Sequence, residues 1–479
     1  MFKLLKQPRG FSIFFLTEMW ERFGFYITQT LLIFYLIDRF HLTDTVSYSI
    51  LGSFTALAYI NPALGGYIAD RYLGAKQAIL WGVLLISFGY IILTFSEDLI
   101  KVFISLAFIS IGTGLLKPNI SSLLGSLYSA KDPRRHTGYT IFYMGISLGI
   151  ILATSFGGYL WQTIGWKITF IIAAIASLLA WITFFFGSRF YKLDDLNKIP
   201  YSLKKYLQAF FLIILTVIVN TVIITHNILS IVAFSIVAIL SVIIILYEIF
   251  RSQDSVEKRR LLAYFLLICI SVFFWAIYFQ LFFSMNLFID RVVDRQIFGF
   301  NVPASFFVSI ESFGLIIFGP FLGALWHIFA RNGNNRGLSI PGKFAGGLCM
   351  MTVAFALLFM SSLFTNSNGL VMSGWIIVVY LIISIGELLL SPIGLAMVSE
   401  LAPPRLAGLM MGIFFVSLGL GGKLAGIFAD YAAISKDIGD LDQMKTIYHH
   451  AFGIYLFICL IITLASLALV RIIKKLIII

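Results

Sequence analysis

The stretch TEMWERFGFY, Thr17–Tyr26, sits in the middle of an apolar run from Phe11 to Ile37. Such a run is long enough to cross a bilayer as a helix, which takes about 20 residues. Yet it carries Glu18, Glu21 and Arg22 near its centre. Charges at that depth are tolerated only where they face protein or a water-filled cavity. A single span with such a face therefore predicts further spans to receive it.

The rest of the chain supplies them. Of its 479 residues 60% are hydrophobic and only 12% charged, with a mean hydropathy of +0.98. Soluble domains keep about a quarter of their residues charged. The apolar segments are long runs, so they read as helices and not as the short alternating strands of a membrane barrel. We read spans at 11–37, 47–69, 77–96, 100–126, 137–161, 166–188, 206–225, 228–250, 260–289, 303–330, 343–364, 370–398, 406–429 and 447–471. The fold class is an all-α polytopic membrane protein.

The formal net charge of +12 would suggest nucleic acid on a soluble protein. Here the basic residues fall in alternate short loops, which sets orientation instead. Lys3, Lys6 and Arg9, then Arg71 and Lys76, Lys131 with Arg134 and Arg135, Lys198, and Arg336 share one side with Arg405 and Lys474. Both termini are expected in the cytoplasm. The first apolar run is too long for a cleavable signal peptide. Cys269, Cys349 and Cys459 lie in apolar spans, with no spacing that suggests a disulfide framework or a metal.

Spans 206–225 and 228–250 form a hairpin with no ionisable residue at the centre of either helix. Without them six spans precede and six follow, the arrangement of two pseudo-symmetric halves. The expected division is 1–190, a linker and hairpin at 191–257, and 258–479.

The remaining intramembrane charges are few. Lys117 lies in GTGLLKPN, Glu311 in SIESFG, Glu387 in GELLLSPIG and Lys423 in GLGGKLAG. Glu18, Glu21 and Arg22 are spaced to share one helix face, which Phe25 and Gln29 continue. One guanidinium cannot neutralise two carboxylates, so one acid is available to carry a proton. A fixed ion-pair cluster is the alternative reading of the same triad. Pro118 and Pro392 each remove a helix hydrogen bond, and irregular backbone at that depth belongs beside a cavity or within protein. Glu387 could partner Lys117 or a substrate ammonium, and Glu311 could pair with Lys423.

Glu18-x-x-Glu21-Arg22-Phe23 resembles the ExxERF motif of the proton-coupled oligopeptide transporters, a branch of the major facilitator superfamily. GGYIADRYLGAKQAI, Gly65–Ile79, is similar to that family's first signature, and Lys117 and Glu387 match its helix 4 lysine and helix 10 glutamate. The resemblance implies two six-helix bundles plus an inserted hairpin, working by alternating access. It implies import of di- and tripeptides driven by protons, with no cofactor beyond protons as the coupling ion. Glu18, Glu21, Arg22 and Lys117 are then expected in proton coupling. Substrate binding is expected at Arg22, Tyr26, Gln29, Tyr59, Lys117, Asn119, Ser147, Trp275, Tyr278, Glu311, Glu387, Ser391 and Phe414. Gating or structural roles are expected for Asp70, Arg71, Lys117, Glu387 and Lys423.

The chain departs from the family's pattern at several of these positions. Phe25 stands for a tyrosine, Gln29 for a frequent arginine, Phe279 for a frequent helix 7 acid, Ser147 for an asparagine, Glu311 for a helix 8 asparagine and Phe414 for a tryptophan. These departures motivate a second reading, a transporter of another small molecule such as an amino acid. A third, an intramembrane enzyme, lacks any HExxH or GxSxG motif in the sequence. The expected partners are a small peptide-like substrate and the lipid bilayer, with no nucleic acid. A monomer is expected to suffice, in the inner membrane of a bacterium.

Overall fold

The computed structural model describes residues 7–129, 132, 134–193, 195, 199, 202–331 and 339–477. The basic residues Lys3, Lys6, Lys131, Lys198 and Arg336 used above for orientation lie outside these. Fourteen long helices account for most of the chain. They are α1 (Phe11–Phe40), α2 (Asp44–Ile68), α3 (Ala75–Thr94), α4 (Leu99–Gly125), α5 (Arg134–Ile164), α6 (Trp166–Phe190) and α7 (Leu203–Thr225). After these come α8 (Asn227–Arg251), α9 (Ser255–Tyr278), the short α10 (Ser284–Val292), α11 (Phe306–Arg331) and α12 (Ile340–Ser361). The last are α13 (Ser373–Leu401), α14 (Ala407–Ala429) and α15 (Leu441–Ile477). Among the described residues, 12 helices are long and apolar enough to cross a membrane. The two long helices that fall short are the charged α1 and the glycine- and hydroxyl-rich α2. The chain is an all-helical polytopic membrane protein.

It forms two compact units. Unit 1 comprises Met1–Tyr35 with Ser53–Ser230, and unit 2 comprises Leu36–Gly52 with Ile231–Ile479. In unit 1, α4 packs most extensively on α3 and also holds α7, while α3 packs on α6. In unit 2, α12 packs against α13 and α15, α9 against α14, and α11 against α13. The hairpin helices are the most lipid-like in exposure: Phe211, Leu215 and Ile218 of α7 and Ile236, Ile239 and Ile243 of α8 are all exposed.

Absent side chains set the closest helix contacts. A Cβ on Gly65 of α2 would lie 2.1 Å from the Gly114 carbonyl oxygen of α4. That carbonyl lacks its usual i+4 donor, because Pro118, four residues on, has no N–H. Helices in lipid associate through such small-residue contacts, since apolar burial alone gives them little reason to.

Two interruptions were not legible in the apolar pattern. The span read as 260–289 breaks at a 3₁₀ turn, Phe279–Leu281, between α9 and α10. The Gln280 side chain holds the break: its Nε2 donates to Ala276 O at 3.3 Å and to Ala425 O at 2.9 Å, and Ser284 Oγ donates to its Oε1 at 2.6 Å. After α2 the chain takes a π turn, Ala69–Leu73, and leaves it at Gly74 with φ +79°. The next helix, α3, has its first N–H groups capped from far away: Asp195 accepts from Ala75 N at 3.0 Å and Lys76 N at 3.3 Å. Between the helices of unit 2 lie two minimal sheets, β1 (Val293–Asp294) parallel to β4 (Val371–Met372), and β2 (Gln296–Ile297) antiparallel to β3 (Phe300–Asn301).

Candidate functional site

In unit 1 the site is built on α1. Glu18, Glu21 and Arg22 are buried, at 2%, 0% and 2% exposure. Arg22 Nε lies 2.5 Å from Glu21 Oε2 and 3.4 Å from Glu18 Oε1, so one guanidinium nitrogen bridges both acids. Thr113 of α4 donates its hydroxyl to Glu21 Oε1 at 3.2 Å. Glu21 is thereby bonded at both oxygens, whereas Glu18 Oε2 and Arg22 Nη2 are buried with no hydrogen-bond partner among the described residues. The guanidinium also lies over Phe25, 4.8 Å from the ring centroid. Phe25 at this position gives Arg22 a π-face to rest on and no hydroxyl to bond.

Lys117 of α4 projects towards the same cluster. Its Nζ lies over the Tyr59 ring, 4.4 Å from the centroid, and it interacts electrostatically with Glu18 and Glu21. Glu18, Glu21, Arg22 and Lys117 thus sum to zero. Tyr26 is half-buried with its ring edge-on to Phe25 at 5.4 Å. Ser147 of α5 is half-buried, and two residues on Gly149 lets α1 approach, since a Cβ there would lie 2.5 Å from Met19 O. Two expected substrate contacts are already engaged. Gln29 donates to Thr55 Oγ1 at 3.0 Å and accepts from it at 3.3 Å. Asn119 donates to Leu115 O of its own helix at 2.7 Å. Asp70 and Arg71 lie exposed in the π turn beside Tyr67.

In unit 2 the aromatic residues of α9 cluster. Trp275 meets Tyr278 edge-on at 5.2 Å and Phe279 at 5.8 Å, and all three are buried. The indole Nε1 of Trp275 has no hydrogen-bond partner among the described residues. Glu311 of α11 is 3% exposed, and Glu387 of α13 is half-buried. Ser391 is half-buried one turn after Glu387. Phe414 of α14 is buried against Gly394 of α13, where a Cβ would lie 2.5 Å from the ring.

The expected pairing of Glu311 with Lys423 is not what unit 2 contains. Ser312 Oγ donates to Glu311 at 3.1 Å, the Tyr278 hydroxyl is a second donor, and the nearest acid is Glu387. The carboxylate acting on Lys423 is Asp430, two turns further along α14 and the 3₁₀ turn that follows it. Apolar periodicity could not reveal this, because it does not mark the helix face that Lys423 and Asp430 share.

A further ion pair escaped the sequence reading. Arg291 at the end of α10 grips Asp44 at the start of α2 with Nη1–Oδ2 at 2.6 Å and Nη2–Oδ1 at 2.8 Å. Asp44 Oδ2 also accepts from Ile434 N at 2.9 Å. Read locally, Arg291 neighbours Asp290 and looks like half of a mixed loop; no signal in the sequence links positions so distant in the chain.

Comparison with known proteins extends over nearly all of this chain. The model of the POT family, PTR2, matches residues 76–444. The dipeptide and tripeptide permease A of Yersinia pestis is 32% identical over 451 residues, covering 93% of this chain and 89% of the permease. The crystal structure of tetrameric PepTSo2 superposes with a TM-score of 0.86 at 26% identity, covering 98% of this chain and 99% of that one. A structure solved in a study of substrate recognition in proton-dependent oligopeptide transporters gives 0.85 at 26% identity, with the same coverage.

Proposed function

The chain belongs to the POT family, a family of secondary active transporters and not of enzymes, and we propose that it imports di- and tripeptides together with protons by alternating access. The observation that carries the reading is the α1 cluster. Glu21 is bonded at both oxygens, but Glu18 keeps one buried oxygen with no donor among the described residues. A proton on Glu18 would remove that deficit, since burial favours the neutral form of an acid. Coupling requires that protonation and substrate each favour the same conformation, because a ligand shifts an equilibrium only by its differential affinity.

In this reading Arg22 and Lys117 attract the peptide carboxylate and Glu387 its ammonium. Tyr26, Tyr59, Ser147, Trp275, Tyr278, Ser391 and Phe414 shape the remaining contacts. Gln29 and Asn119 contribute by holding α1 and α4 in place, given their existing bonds. Asp70, Arg71 and Lys423 serve conformational change. Residues 1–190 and 258–479 are the two bundles, and 191–257 is the linker and hairpin. One chain suffices, in a bacterial inner membrane with both termini in the cytoplasm. The proton couples transport and no other cofactor takes part.

The test is uptake of an alanine dipeptide by proteoliposomes, with and without an imposed inward proton gradient. Accumulation above the external concentration only with the gradient is expected. Gradient-independent equilibration, or uptake of free amino acids in preference to dipeptides, would overturn the reading. The departures at Phe25, Glu311 and Phe414 make the second outcome the one to test alongside, with amino acids in the same panel.

A further inference from the structure

Glu311 and Glu387 present a problem that the described neighbours do not solve. The carboxyls, on the packed helices α11 and α13, lie within hydrogen-bonding reach of each other. Oε1 of Glu311 and Oε2 of Glu387 are both buried and neither meets a donor among the described residues. The donors present are Ser312 and Tyr278, both to Glu311. No Lys, Arg or His forms an ion pair with either acid among the described residues. The other titratable group nearby, Tyr380 of α13, donates its hydroxyl to Leu281 O at 3.5 Å and so is not aimed at the pair.

Two ionised carboxylates this close, with one oxygen of each buried and no cation in an ion pair with either among the described residues, repel each other strongly. Each unmatched oxygen also carries the full penalty of an unmade hydrogen bond. One proton held between the two oxygens removes both difficulties at once: it supplies the missing donor and halves the charge, as in other carboxyl dyads. A cation placed between them would do the same.

From this geometry we infer that Glu311 and Glu387 form a carboxyl–carboxylate pair that binds one proton, a second proton site separate from the α1 cluster, and keeps that proton while its remaining charge receives the ammonium of an incoming substrate. The singly protonated pair carries −1, so the pair with an ammonium bound is neutral. Glu311 is then not another contact to the cargo but the second carboxyl of a shared proton site. The Trp275 indole, a buried donor on α9 with no partner among the described residues, is a further group that a ligand entering unit 2 could satisfy.

The binding of an ammonium rests on the transport reading above; the proton pair itself does not. Infrared difference spectroscopy of the purified protein, titrated in water and in deuterium oxide without any substrate, reads protonated carboxyls directly. Wild type minus Glu311→Gln and wild type minus Glu387→Gln should each contain the same protonated-carboxyl band, lost in both variants. Tyr278→Phe, which keeps both acids, should shift that band without removing it. Absence of a protonated-carboxyl band from either difference spectrum overturns the pair; loss with Glu311→Gln alone would mean a solitary protonated acid and overturns it equally. Glutamine keeps the acceptor for Ser312 and offers an N–H to its neighbour, so both variants are expected to fold, and their thermal melts check this. Ammonium binding is read in the same spectra with dipeptide bound: the band should shift and persist, and its loss on binding would overturn the retained proton. If no dipeptide binds but the band behaves as described, the transport reading fails and the pair stands. If dipeptides are transported but the band is absent, only the pair fails.

Discussion

Gly65 and Gly66 are adjacent on α2, and the structure predicts opposite responses to the same substitution. In Gly65→Ala the new Cβ would lie 2.1 Å from Gly114 O, 2.4 Å from Gly114 C and 2.7 Å from Leu115 N. All three are backbone atoms, so no side chain can rotate away. Reaching an ordinary contact of about 3.4 Å requires α2 and α4 to separate by about 1.3 Å. Overpacking of this kind costs about 1–3 kcal/mol. A backbone displacement of that size falls at the upper end, about 3 kcal/mol, or roughly a hundredfold in the folded population. In Gly66→Ala the Cβ meets nothing within 4 Å, and replacing glycine inside a helix favours folding by up to about 1 kcal/mol. The assay is thermal unfolding of the purified variants in one detergent at one scan rate, since irreversible unfolding makes the midpoint rate-dependent. Gly65→Ala should melt several degrees below wild type, and Gly66→Ala at or above it. Lys117 lies less than one turn beyond Gly114, so dipeptide uptake should fall in Gly65→Ala as well. A Gly65→Ala midpoint within a degree of wild type, or equal falls in both variants, would refute the close approach of α2 to α4.

Glu21→Gln should abolish gradient-driven accumulation in proteoliposomes while sparing counterflow exchange; undiminished accumulation would remove Glu21 from the coupling. Asp44→Ala leaves the Arg291 guanidinium without its bidentate partner, which should cost about 3 kcal/mol, and Asp44→Ala with Arg291→Met should recover part of that loss in the thermal melt. Asp98 caps α4, accepting from Lys101 N at 2.8 Å, and that backbone bond holds its carboxyl below the usual carboxylate range. Its contribution is therefore present above about pH 4 and lost as pH falls through the lower, folded value. Asp98→Asn should lower the acid sensitivity of the melting temperature without changing it at neutral pH by more than a cap's worth.

The fold was legible because all fourteen long helices lie where apolar runs occur in the sequence. What was not legible depends on contacts between distant positions. The 3₁₀ break at Phe279–Leu281 is held by a glutamine whose acceptor, Ala425, lies on another helix. The cap on α3 comes from Asp195, and the partner of Arg291 is Asp44. Within α1 the sequence did more, because Glu18, Glu21 and Arg22 are close enough in the chain for helical spacing to place them on one face. Thr113 completes that cluster from α4, and threonine in an apolar helix gives no warning of such a role. Glu311 and Glu387 were each found by charge; their adjacency could not be, since an acid is expected to seek a base and each lies beside another acid.

The two units treat buried charge in opposite ways. In unit 1 two acids are matched by Arg22 and Lys117, so the cluster is neutral as it stands. A proton added to Glu18 makes it positive and frees part of the hold on Arg22, whose Nη2 already has no acceptor among the described residues. Protonation there favours an incoming carboxylate. In unit 2 no base forms an ion pair with Glu311 or Glu387 among the described residues, so the pair is incomplete without a proton or a cation. With one proton the pair keeps a charge of −1, which favours an incoming ammonium. On the proposed transport reading a zwitterion therefore draws on both clusters. An amino-blocked peptide draws only on the first. It should bind with affinity that depends on Glu18 but not on Glu311, whereas a free dipeptide should depend on both. Equal sensitivity of the two ligands to Glu311→Gln, measured by thermal shift on purified protein, would refute this division.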